Sequence, residues 1–159
     1  MIFPTSLRNQ LISHAQAETP DEVCGILAGR SDRVERVFPV RNTADTVGAE
    51  RGVFRDRESG TPSVGRRGVH YYMDPKDQLR VYNEIDDLEL DVLGYYHSHT
   101  HTEARPSPTD IRLASDLAAM YVLVSLQDLT PVVRAWRIVK SDPGDETGEL
   151  IELELTELP

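Results

Sequence analysis

Residues Leu93–Asp110 read LGYYHSHTHTEARPSPTD, and the conformation of the first half of this stretch decides the fold. Asp91 to Tyr96 run through apolar and aromatic residues, which favours a short buried strand over a helix. His97 and His99 stand one residue apart at the end of that run. In a strand, side chains two apart share a face, so the two imidazoles converge while Ser98 faces the other way. In a helix the pair would diverge by about 200°. The strand reading makes a chelating pair, and the helical one destroys it.

Working outward, Ser107 lies between two prolines and Asp110 opens the next helical pattern. By themselves Ser107–Asp110 read as a capping box, with Ser at the N-cap, Pro at N1 and an acid at N3. A capping box does not require two histidines upstream on one strand face. Two neutral imidazoles and a carboxylate, with a fourth position left to water, make the ligand count of a catalytic zinc site. His97, His99 and Asp110 are therefore candidate ligands. Cys24, the single cysteine, sits in an apolar run and reads as a small core residue. His101 stays outside the set, because three protein ligands already complete an open site.

An ion held this way lowers the pKa of a bound water to about 7. Its proton still needs a base, commonly a carboxylate that is not a ligand. Glu22, at the mouth of the apolar run Val23–Ala28, is the candidate. Asp21 and Asp116 read as solvated acids.

The chain of 159 residues suits one domain spanning 1–159 with a real core. Lys plus Arg number 17 against 27 for Asp plus Glu, a formal charge of -10, which is the wrong sign for a nucleic-acid surface. No internal disulfide is available, and the N-terminus lacks the basic region and long apolar run of a secretion signal. No stretch approaches the roughly 20 apolar residues that span a bilayer. A cytoplasmic protein with neither nucleic acid nor membrane as partner is expected.

The pattern predicts a first helix capped by Thr5 or Ser6 and ended by Pro20, with Leu7, Leu11, Ile12 and Ala15 on one face. The short apolar run within Pro20–Gly29 and the alternating Arg33–Asn42 read as a hairpin with its turn near Gly29–Asp32. Residues 43–68 lack apolar periodicity and read as a long loop or mobile flap. A strand is expected over Val69–Met73. A second helix should start at Asp74–Pro75 and run to about Asp87, burying Leu79, Val81 or Tyr82, and Ile85. A third should run from Ser107 through Met120, followed by strands over Tyr121–Leu126, Val132–Val139 and Leu150–Leu155.

Glu22, then His97-Ser98-His99, seven residues, Ser107, two residues and Asp110 resemble the motif of the JAMM (MPN-domain) metalloproteases. Pro20–Gly25 resembles the segment that carries the family's upstream glutamate. The resemblance covers nearly the whole chain. It implies an α/β fold of the α+β kind, a mixed central sheet flanked by helices in the cytidine deaminase-like manner. It also implies one Zn2+ held by His97, His99 and Asp110, with Glu22 as general acid/base and Ser107 stabilising the oxyanion. Family members hydrolyse peptide or isopeptide bonds after the C-terminal Gly-Gly of ubiquitin or ubiquitin-like proteins.

Thr100–Pro106 and Tyr121–Ser125 are similar to the small bacterial branch, the CysO-cysteine peptidase type, which frees cysteine from a sulfur-carrier protein. Thr100 stands where many deubiquitinating members have proline, and the 43–68 insert is longer than expected for that branch. The implied partner is a ubiquitin-like or sulfur-carrier protein ending in Gly-Gly, its tail pairing with a strand edge near Val69–Met73. Alternatives are an isopeptidase acting on lysine conjugates, a non-catalytic MPN-type scaffold, a two-His-one-carboxylate iron oxygenase and a RadC-like relative. Oligomeric state stays open.

Overall fold

A computed structural model describes residues 1–56 and 58–158. In chain order its elements are β1 (Ile2–Pro4), α1 (Thr5–Glu18), β2 (Cys24–Arg30), β3 (Arg33–Val40), a π-helical turn (Ala44–Gly48), α2 (Pro75–Asp87), β4 (Asp91–His99), α3 (Pro108–Leu113), β5 (Met120–Ser125), β6 (Val132–Val139), β7 (Glu149–Leu153) and β8 (Thr156–Leu158). The strands form one mixed sheet in the order β7-β6-β5-β4-β2-β3-β1-β8. β4–β5, β1–β3 and β1–β8 pair in parallel. The other neighbours are antiparallel.

β7 and β8 lie at opposite ends of this order, yet only Glu154 and Leu155 separate them in the chain. The sheet must therefore curl until its ends meet, in the direction that strand twist favours. Beside that junction β8 is held by its neighbour β1, Thr156 N–H donating to Met1 O at 2.9 Å. Leu7, Leu11 and Ala15 of α1 enter one core with Phe3, Leu27, Val122 and Ala135, and Leu153 and Leu155 pack against it. On the opposite face α2 buries Val81 and Ile85 against Ile26, Ala28, Phe38 and Val40. With both faces covered, β2 is buried from Cys24 to Gly29, which explains its unbroken apolar reading. Among the described residues no helix is long and apolar enough to cross a membrane.

Several expectations need correction. No strand forms over Val69–Met73: Val69 and His70 N–H groups both turn back to Arg66 O, and only an isolated bridge joins Asn42 to Met73. The strand edge expected there for a substrate tail does not exist. α3 stops at Leu113 rather than near Met120. Lys140 Nζ takes the carbonyls of Arg112 and Ala114 at 3.2 and 2.8 Å, and Asp116 Oδ1 accepts from Ala118 and Ala119 N–H, a local alternative that competes with helix. Asp116, expected to be solvated, thus anchors a turn, and Asp21 pairs with Arg67 at 3.2 Å.

Leu79 is 60% exposed, because α2 turns Gln78, Val81, Tyr82 and Ile85 toward the sheet and position 79 away from it. α1 begins at Thr5 without a side-chain cap, since it continues directly from β1, and Thr5 Oγ1 donates to Leu158 O instead. The last predicted strand, Leu150–Leu155, is β7 ending at Leu153, and β8 and β1 lie outside every predicted strand. Residues 43–68 hold the π-helical turn, and Phe54 within them is 1% exposed.

Tight packing between β2 and β4 fixes their approach. A Cβ on Gly25 would collide with the Tyr96 ring and with Phe38 O. Replacing Gly25 by Ala is expected to cost about 2 to 3 kcal/mol by overpacking. For a chain of this size that lowers the melting temperature by roughly 5–10 °C, measured by thermal unfolding. An unchanged melting temperature would show that the strands can part freely here.

Candidate metal centre

The site begins with the β2–β4 ladder, where Cys24 lies opposite His97. Two residues further along on the same face, Glu22 on the β2 side meets His99 on the β4 side. The pairing persists past the ladder, because Ser98 N–H donates to Val23 O at 3.0 Å and Ser98 Oγ accepts from Val23 N–H at 2.9 Å. Ser98 does face away from the histidines, and it anchors the entrance of β2. β4 and β5 run parallel, His99 beside Ser125, so the site stands at the carboxyl ends of adjacent parallel strands, where open α/β sheets bind ligands.

His97 Nε2 and His99 Nε2 lie 3.1 Å apart, and each is 3.3 Å from Asp110 Oδ2. The capping box exists as read: Ser107 N–H donates to Asp110 Oδ2 at 2.7 Å, and Asp110 N–H donates to Ser107 Oγ at 3.2 Å. One carboxylate therefore starts α3 and faces both imidazoles. The loop leading to it is pinned by Trp136 Nε1, which donates to Ala104 O at 2.8 Å, and by Ser125 Oγ, which donates to Thr102 O at 2.6 Å. The Tyr71 ring stacks on His97 with 4.3 Å between centroids. Of these supports, Trp136, Ser125 and Tyr71 carried no sequence signal, because their partners are backbone groups or rings set by tertiary contact.

These three ligand atoms fit a divalent cation. They lie within 4.8 Å of one another, and His99 Nδ1 faces Glu103 O at 2.9 Å. That contact places the Nδ1 proton on the carbonyl and leaves Nε2 for the centre, the outer-shell arrangement usual for metal-binding histidines. Burial keeps His97 neutral by lowering its pKa, more strongly than Asp110 raises it. Burial also opposes charge on Asp110, but the two histidines against it hold its carboxyl far below the usual range. For His99 burial pulls downward, and the hydrogen bond to Asp110 together with its charge outweighs that and lifts the pKa. A neutral imidazole and an ionised carboxylate are the forms a cation needs.

Glu22 is 7% exposed and stands apart from this group. Burial pushes its pKa up to about 8, with His99 pulling down and Asp110 adding to the rise. Together with His99, Ser107 and Asp110 it lines one cleft of about 350 Å³. His101 lies exposed at the lip of that cleft, outside the convergent group. Cys24 is buried, its Sγ on Val40 O at 3.4 Å, as expected of a core residue.

A buried two-His-one-Asp group beside a carboxylate that stays out of it fits a metal-dependent hydrolase of the JAMM type. The chain belongs to the JAB/MPN family: over residues 4–139 it matches the group described as prokaryotic homologs of the JAB domain. It is 36% identical over 155 residues to the CysO-cysteine peptidase of Mycobacterium tuberculosis, covering 96% of this chain and 92% of that one. To the desampylase of Haloferax volcanii it is 32% identical over 149 residues, covering 90% and 88%. Its fold superposes on a JAB1/MPN domain protein from Archaeoglobus fulgidus with a TM-score of 0.54 at 18% identity, across 99% of this chain and 100% of that one.

The raised pKa of Glu22 has a measurable consequence in metal-free protein. The native state keeps a proton that the unfolded chain gives up above about 4.5, so this group makes stability fall as pH rises from about 4.5 to about 8. Glu22→Gln removes that slope. At pH 7 the variant should gain up to about 3 kcal/mol relative to its difference from wild type at pH 4, at about 1.4 kcal/mol per unit. Chemical denaturation at the two pH values measures it, and an equal difference at both would contradict the burial.

Proposed function

We propose that this chain is a zinc peptidase that hydrolyses the bond after the C-terminal Gly-Gly of a small ubiquitin-like or sulfur-carrier protein, releasing cysteine from a carrier–cysteine adduct. One observation carries the reading: Glu22, buried and with its pKa raised from the usual carboxylate range, opens into the same cleft as His99, Ser107 and Asp110. A non-catalytic scaffold has no use for that group, whose burial is costly. Similarity to the mycobacterial peptidase along nearly the whole chain supports the cysteine adduct as substrate.

His97, His99 and Asp110 would hold one Zn2+, which when bound supplies Lewis-acid polarisation and a more acidic water. Glu22 takes the proton of the attacking water on a carboxylate oxygen and passes it to the departing amine. Its raised pKa suits both halves of that transfer near neutral pH. Ser107 Oγ accepts from Asp110 N–H, so its own hydroxyl hydrogen is free to donate. It gives that hydrogen bond to the carbonyl oxygen as negative charge develops. Ser125 and Trp136 pin the loop 102–107 and so hold this donor in place.

A second reading, an isopeptidase that removes a ubiquitin-like modifier from lysine, is favoured by the similarity to the archaeal desampylase. Both readings are separated by offering the purified protein Gly-Gly-ending carriers linked either to cysteine or to lysine, and following cleavage by mass spectrometry with and without chelator. Release of free cysteine that stops on chelation is expected. Preference for the lysine conjugates would move the assignment to the second reading, and chelator-resistant cleavage would overturn both. In the same assay Glu22→Gln should lose turnover while keeping one zinc per chain. Ser107→Ala should lower kcat by about 100-fold, with about 1 kcal/mol lost from the cap of α3.

A further inference from the structure

Glu22 precedes the first residue of β2, and the sheet does not hold its peptide. Its N–H donates to Arg67 O at 2.6 Å. Its carbonyl accepts from Asn42 Nδ2 at 2.9 Å. The same Nδ2 also donates to His70 O at 2.9 Å, while Asn42 Oδ1 accepts from Ala44 N–H at 3.0 Å and Tyr72 N–H at 3.1 Å. One carboxamide thus uses two donors and two lone pairs, its full capacity, on four peptide groups from three segments.

We infer that Asn42 is a positioning residue for Glu22, setting the mouth of β2 against the returning segment 70–72 and so aiming the Glu22 carboxylate into the cleft. The inference rests on the reading of Glu22 as the base. Tyr71, between the two peptide groups that Asn42 holds, stacks on the ligand His97. Base and metal group are therefore referenced to one side chain. Chain paths at 41–43 and 72–74 reinforce it, with Thr43 N–H on Tyr72 O at 2.8 Å and Asp74 N–H on Arg41 O at 2.9 Å. Aspartate at position 42 would offer no donor, serine would offer one, and glutamine would overreach by a carbon.

Asn42→Asp keeps an acceptor for Ala44 and Tyr72 and removes both donated bonds, and Asn42→Ala removes all four. With zinc-loaded protein and a Gly-Gly-ending carrier linked to cysteine, Asn42→Asp should lower kcat by about 10- to 100-fold, the loss that follows from about 1 Å of misplacement. KM should stay within about twofold and zinc content should not change. In a Glu22→Gln background, with residual turnover read at stoichiometric enzyme, Asn42→Asp should add nothing, as expected when one residue acts through the other.

A readout independent of turnover is amide hydrogen exchange of the Asn42→Ala protein. The amides of Glu22, Ala44 and Tyr72 should exchange at least about tenfold faster while β4 stays protected. Wild-type kcat in Asn42→Asp, multiplicative losses in the double variant, or an unchanged Glu22 amide in Asn42→Ala would each overturn the positioning role. Full turnover by Glu22→Gln would instead overturn the base reading, and the positioning role with it.

Discussion

The antiparallel register that sets Cys24 opposite His97 is the constraint on which the site depends. Strand side chains repeat every two residues, and a slip of one would send every side chain of β4 to the other face. His97 and His99 would then enter the α1 core, and Tyr96 and Ser98 would face the cleft. Gly25 guards that register, since only a hydrogen fits between the Tyr96 ring and Phe38 O. Burial of β2 on both faces closes off the alternatives. The same register places Glu22, 75 positions before His97, level with the second histidine.

A second economy lies in Asp110. Its carboxylate accepts Ser107 N–H as the third residue of a capping box and faces both imidazoles. The turn that starts α3 is thus also what points the Asp110 carboxylate at the two histidines. α3 has six residues and none of them buried, so packing of its own cannot hold it. Its position comes from groups at its ends. Trp136 and Ser125 pin the incoming loop, Lys140 takes its last carbonyls, and Arg112 reaches Val53 O at 2.6 Å. Through that last bond the insert and α3 share a support, and Asn42 gives the insert and Glu22 another.

What was legible in the chain follows from the range of each interaction. β4 could be read because its apolar run and the two-residue spacing of His97 and His99 are local facts, and the cap at Ser107–Asp110 lies within four residues. α2 was legible for the same reason, with Asp74 and Pro75 at its start. β1 and β8 were not, since three residues carry no periodicity and their pairing joins the two chain ends. α3 was overextended because Leu117 and Ala118 continue a helical apolar pattern, while Lys140 and Asp116, which end it, act through hydrogen bonds that the pattern does not record. Val69–Met73 was misread as a strand for want of a partner. Its peptide groups are spent on Asn42 and on a turn at Arg66. Asn42 gave no signal either, because its four partners are all backbone.

As proposed, one metal is held by His97, His99 and Asp110 while Glu22 remains outside its ligands. A crystal structure of protein purified without added metal, with anomalous data collected on both sides of the zinc edge, measures this directly. One zinc peak is expected within about 2.0–2.2 Å of both Nε2 atoms and an Asp110 oxygen, with the Glu22 carboxylate beyond ligand distance. A peak at iron, a peak elsewhere, or Glu22 bound to the metal as a fourth ligand would contradict it.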